Sequence, residues 1–133
     1  MIKKTISYTD YDGVERVEDF YFNLNTIELT RLQGKYENDI PTYITKLSKN
    51  NNLMGMVNLL EDLILTSYGE KSVDGRKFIK NEEIREEFSN TIAYAKLFEK
   101  LFTDQEEAEK FGKGIVSEVR ESEELNEFVK NNQ

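Results

Sequence analysis

Asp10, Asp12 and Gly13 have the types and spacing of the oxygen-rich half of a calcium loop. They lie in the stretch T-D-Y-D-G-V-E-R-V-E-D-F, Thr9 to Phe20. With Gly13 at the sharp turn of such a loop, Asp10 and Asp12 fall on ligand positions. The first ligand position, however, is then Tyr8, which offers no carboxylate. The position that is normally apolar is Glu15, and the closing bidentate position is Asp19. Calcium loops are flanked by helices, whereas β-branched and aromatic residues flank this one. The pattern therefore predicts a type I′ or bulged hairpin turn, with Asp10 and Asp12 serving the bend.

Paired carboxylates are the next source of chemistry, and Glu61-Asp62, Glu82-Glu83 and Glu86-Glu87 are the pairs. Acid–base catalysis needs two carboxyls converging in a concave, partly apolar site that pushes their pKa values apart. Adjacent acids on a helix point in different directions. Glu61 and Asp62 stand out because their segment is otherwise apolar, and for them capping or pairing with Lys or Arg is the ordinary alternative. The sequence has no G-x-S-x-G, Walker-type loop or dinucleotide fingerprint. A third feature suggests binding: Tyr94, Leu97, Phe98, Leu101 and Phe102 form an apolar stripe that reads either as a core-facing helix or as a partner-binding surface.

Composition closes further routes. The 133 residues contain neither Cys nor His, which excludes disulfides, thiolate zinc sites, Cys nucleophiles and His-based triads. The formal net charge is −8, and from Asp104 onward nine acids face four bases. A chain of this sign lacks the basic face that sequence-independent nucleic-acid binding requires. Lys3 and Lys4 resemble the start of a signal peptide, but no apolar stretch follows, nor is there a run long enough to span a membrane. The expectation is a soluble protein that stays where it is made, and the absence of Cys is compatible with a reducing cytoplasm.

The positioning elements follow from local signals. Ile2 to Tyr8 and Val14 to Phe22 read as two strands around Asp12-Gly13, aromatic on both faces of the second. Asn25 with Glu28 forms a capping box for a short helix from Thr26 to Leu32, which Gly34 should stop. Pro41 opens a second helix that runs to about Lys49, and Asn50-Asn51-Asn52 breaks it. Leu53 to Tyr68 is apolar over most of a helical surface, so it is expected at the centre of the fold, with Gly69 ending it. Glu70 to Lys80, with its own Asp74-Gly75, reads as a loop or a small second hairpin. Asn81 and Thr91 each cap a helix, and Thr103 is expected to cap another from Asp104 to Phe111, closed by Gly112 and Gly114. The fold class is α+β: an N-terminal antiparallel β-hairpin packed on a mostly α-helical domain of about five or six helices. Residues 1–116 are expected to form one domain, and residues 117–133 an acidic tail, either a marginal helix or disordered.

Three blocks carry a likeness. K-K-T-I-S-Y-T-D-Y-D-G-V-E-R-V-E-D-F-Y-F-N-L (Lys3 to Leu24), L-I-L-T-S-Y-G-E-K-S-V-D-G-R-K-F-I-K (Leu63 to Lys80) and F-S-N-T-I-A-Y-A-K-L-F (Phe88 to Phe98) keep a common order and spacing. With G-I-V at Gly114 to Val116, they resemble tail assembly chaperones of long-tailed bacteriophages infecting Gram-positive bacteria. The likeness runs from residue 3 to about 116. It implies a non-enzymatic role without cofactors in the infected cell: binding the tape measure protein, recruiting tail tube subunits, and absence from the mature virion. It also implies that this chain is the short form of a pair generated by ribosomal frameshifting. Self-association through the open edge of the hairpin and a monomer stand as equal alternatives, since edge strands invite pairing but the residues do not set the oligomeric state. The rival class is an acidic inhibitor or DNA-mimic protein acting on a host enzyme; its binding would weaken sharply with salt.

Overall fold

The computed structural model describes residues 1–37 and 39–116, together with Glu127, Lys130 and Asn131. Apart from those last three residues, the acidic tail expected over 117–133 lies outside the described residues.

The hairpin forms as expected. Strands β1 (Ile2–Thr9) and β2 (Glu15–Phe22) pair antiparallel over their full lengths, from Ile2 opposite Phe22 to Thr9 opposite Glu15. Of the two predicted turns the bulged one is found. Gly13 N–H donates to Asp10 C=O, Asp10 N–H donates to Val14 C=O, and Gly13 takes φ +82°, a conformation that a side chain would strain. The Asp10 carboxylate holds the bend by accepting from the N–H groups of Asp12 and Val14.

Six helices follow among the described residues: α1 (Thr26–Tyr36), α2 (Ile40–Lys49), α3 (Leu53–Ser67), α4 (Glu82–Ser89), α5 (Ile92–Thr103) and α6 (Gln105–Ile115). Asn25 and Glu28 make both hydrogen bonds of the capping box at α1. Asp39, Asn81 and Thr91 accept from the N–H groups of Thr42, Ile84 and Tyr94. The second Asp-Gly pair proves to be a hairpin. Strands β3 (Tyr68–Lys71) and β4 (Phe78–Ile79) flank it, and β3 joins β2, giving a four-stranded sheet in the order β1-β2-β3-β4.

Several expected boundaries move, and the glycines explain most of them. α1 runs through Gly34 to Tyr36 and ends where Glu37 adopts φ +57°. Gly69 does not terminate α3 from outside but lies buried within β3. A Cβ there would sit 2.8 Å from the Phe78 ring and 3.0 Å from the Ile79 carbonyl, so its place is needed for β3 and β4 to meet. Asp104, rather than Thr103, caps α6, which continues through Gly112 and Gly114 to Ile115. A Cβ on Gly114 would sit 2.8 Å from the Ile2 side chain, so the missing side chain lets β1 lie on α6. Helices tolerate such glycines when tertiary packing offsets their lower helix propensity.

The core gathers on the inner sheet face. Phe22, Leu24, Leu59, Ile64, Phe111 and Ile115 are essentially inaccessible to solvent. Phe88 stacks on Tyr68 with centroids 4.0 Å apart and meets Phe20 at 5.2 Å. α5 and α6 cover β1, α4 covers β3, and α3 packs against α2, α4 and α5, the central place its composition predicts.

The three turn and cap carboxylates make an acid-stability prediction. Asp10 is held below the ordinary value of 3.8 by Arg16 and then by the Val14 N–H. Asp74 is held below it by the Arg76 N–H and the Ser72 hydroxyl, and Asp104 chiefly by the Glu107 N–H. A carboxyl whose folded pKa is depressed stabilises the fold fully above its unfolded pKa and loses that contribution as pH falls through the folded value. Thermal melts between about pH 2 and pH 6 should therefore give a flat midpoint down to about pH 4 and a fall below it. Asp10→Asn should shrink that fall; an unchanged acid profile would refute the assignment.

Candidate functional site

The possible ion site resolves into a turn with its carboxylate fully engaged. Beyond the two backbone bonds, Asp10 accepts from Arg16 Nε at 2.6 Å, so its oxygens are committed to the hairpin. Among the described residues no group of three or more His, Cys, Asp or Glu side chains is placed to hold a metal ion.

The carboxylate pairs do not converge. Asp62 accepts from Lys35 Nζ at 2.5 Å and from the Tyr36 hydroxyl, which ties α3 to the end of α1. Tyr36 also lies 4.7 Å from the Tyr43 ring, and burial, followed by the Asp62 contact, raises its pKa. Glu61 lines the same shallow depression as Asp62 but is exposed and acts on Tyr94 of α5, so the two acids do different work. Glu82, Glu83, Glu86 and Glu87 are all exposed on α4, the first two in its first turn, where the helix dipole favours acids.

The α5 stripe is divided by the fold. Leu97 and Leu101 are buried, so in this conformation they contribute to the core and present no surface. Tyr94 is half-buried, and its hydroxyl has no hydrogen-bond partner among the described residues. Burial, with a smaller push from Glu61, raises its pKa to about 12. Phe98 is half-buried and Phe102 is 38 % exposed. The ladder positions of Tyr94, Phe98 and Phe102 place their rings in a row along the helix. Tyr94 and Phe98 lie 6.5 Å apart, and Phe98 and Phe102 stack at 5.7 Å with ring planes 13° from parallel. The surface that the stripe offers is therefore the aromatic row Tyr94–Phe98–Phe102, one helix face away from Leu97 and Leu101.

Other exposed apolar residues were not singled out by sequence reasoning. Leu53 and Met54 open α3 and are each 62 % exposed. The signal was present in Asn52, which accepts from Gly55 N–H as the helix cap and so leaves the first turn outside the packed length. No helix among the described residues is long and apolar enough to cross a membrane.

What the described residues of α5 present at the surface is thus the row Tyr94–Phe98–Phe102, half-buried at its start and most exposed at Phe102. Neither curated proteins nor solved structures gave a match to the chain. A family described as phage tail assembly chaperone matches residues 1–131, nearly the whole sequence and beyond the stretch in which the three blocks lie. The chain belongs to the phage tail assembly chaperone family.

Proposed function

We propose that this protein binds the tape measure protein during tail assembly, keeps it soluble and helps recruit tail tube subunits, without catalysing a reaction. Family membership over residues 1–131 carries the reading. In it, residues 1–116 are the chaperone domain, residues 117–133 an acidic extension, and the protein acts inside the infected host cell and leaves before the virion is complete. The aromatic row on α5 is the surface offered to amphipathic helices of the tape measure, with Phe98 and Phe102 as anchors. Aromatic side chains supply large contact area at small conformational cost, which suits them to this role. The net charge of −8 keeps the loaded complex dispersed.

The test is co-expression of the chain with the tape measure protein encoded by the same phage, followed by affinity capture. Phe102→Asp, alone and with Phe98→Asp, should reduce the captured tape measure to background while leaving the far-UV circular dichroism unchanged. Leu97→Asp should instead unfold the protein. Capture should persist at salt concentrations that screen surface charge, because an apolar contact does not depend on it. Capture by folded Phe98→Asp/Phe102→Asp protein at the wild-type level would refute the assigned surface. Failure of the wild-type chain to retain the tape measure would refute the function itself.

A further inference from the structure

The sheet contains an unfilled edge inside it. β2 pairs with β1 along all eight of its residues, but with β3 only at Tyr21 opposite Gly69 and Phe22 opposite Tyr68. Continued, that register would set Glu70 opposite Phe20 and Lys71 opposite Asp19. β3 instead turns away to pair with β4, Glu70 opposite Ile79 and Lys71 opposite Phe78. A notch opens between the two strands, lined by Glu18, Phe20, Tyr68 and Glu70 among others.

Antiparallel ladders alternate between residues that bond to one neighbour and residues that bond to the other. The Asp10–Val14 bond at the turn and the bond from Asn23 N–H to Ser67 C=O fix the phase. The backbone groups of Arg16, Glu18 and Phe20 face β1, and those of Glu15, Val17 and Asp19 face the notch. Among the described residues no ladder pair reaches Glu15, Val17 or Asp19 from that side. All three side chains are exposed, Val17 at 70 %. The edge is thus presented to water, with Phe20 and Tyr68 packed on Phe88 as an apolar floor beside it.

We propose that this edge receives an extended, basic segment of a protein partner as an added antiparallel strand. Charge selects the occupant. Glu15, Glu18 and Asp19 lie along the edge, and the carboxylates of Glu70, Glu18 and Glu87 all act on the Tyr68 hydroxyl at the floor. The nearby cations are already engaged, Arg16 with Asp10 at 2.6 Å and Lys71 over the Tyr21 ring at 4.0 Å. A second copy of this chain is disfavoured: two-fold pairing about Val17 would set Glu15 against Asp19 twice on the exposed face, and like charges directly opposite destabilise a sheet. A strand carrying Lys or Arg at alternate positions meets Glu15 and Asp19, which share one face, with those residues, and its backbone completes the ladder, the usual source of affinity in strand addition.

The experiment titrates fluorescein-labelled peptides, alternating Lys-Val and alternating Glu-Val of equal length, into the full chain while following anisotropy. The Lys-Val peptide should bind saturably and the Glu-Val peptide should not. Val17→Pro removes an N–H that faces the notch and leaves the β1 ladder intact, a placement edge strands tolerate. It should weaken binding at least tenfold. Ser7→Pro, the equivalent change on the outer edge of β1, should not. Glu15→Lys/Asp19→Lys keeps every backbone group and should also weaken binding at least tenfold, which decides the matter if the proline variant loses its circular dichroism. Absence of saturable Lys-Val binding, equal binding of both peptides, or loss on Ser7→Pro with Val17→Pro unaffected would overturn the proposal.

Discussion

Phe22→Ala is expected to destabilise the fold by about 3–5 kcal/mol, a large share of the roughly 5–15 kcal/mol that holds a domain of this size together. Phe22 is fully buried, and its ring meets Phe111 at 5.3 Å, Tyr68 at 5.7 Å and Phe88 at 5.9 Å. Those partners belong to α6, β3 and α4, so one side chain joins three elements to the hairpin. None of them can close the space alone, because each is fixed by its own strand or helix, and the cavity term is added to the lost transfer term. Urea unfolding followed by circular dichroism gives the measurement. Phe102→Ala is the control: at 38 % exposure and at the end of its row it should cost well under half as much. A Phe22→Ala loss below about 1 kcal/mol would mean that the aromatic cluster does not organise the core.

The elements that the sequence predicted correctly are those whose cause is local. The hairpin turn needs only Asp10, Asp12 and Gly13 within a few residues, and the helix starts need a single side-chain acceptor such as Asn25, Asn81 or Thr91. What escaped depends on residues far apart in the chain. Gly69 and Gly114 look like punctuation in sequence, yet their purpose is set by Phe78, Ile79 and Ile2, which approach only after folding. The same limit applies to the α5 stripe. Periodicity puts Leu97, Phe98, Leu101 and Phe102 on a broad apolar surface, but only the positions of β1, α3 and α6 decide that Leu97 and Leu101 go inward while the Phe98–Phe102 stack is left at the boundary. The open edge of β2 is likewise invisible in sequence, since a strand pattern does not say where its second neighbour will turn away.

The second large effect concerns Lys80, whose role no local pattern announces. Its Nζ donates to Glu28 at 2.7 and 2.8 Å and to the Asn23 carbonyl at 2.5 Å, with only 12 % of the lysine side chain and 17 % of the glutamate side chain exposed. Glu28 also closes the capping box through the Asn25 N–H, so a single carboxylate links the start of α1 to the strand leading into α4. Burial lowers the Lys80 pKa even though Glu28 acts to raise it, so desolvation outweighs the attraction of the pair. The charged pair therefore adds little net stability over a well-packed apolar substitute, and the penalty falls on removing one member alone. Lys80→Met should cost about 3 kcal/mol by leaving Glu28 partly buried without its cation and the Asn23 carbonyl without a donor. Glu28→Gln/Lys80→Met should recover part of that loss, because the amide no longer brings an uncompensated charge inside, although the cap is weakened. A double-mutant cycle from urea midpoints should return a coupling of about 1–3 kcal/mol. Additive single effects would show that the two side chains are neighbours without being partners, and that the junction is held by packing around Leu24 instead.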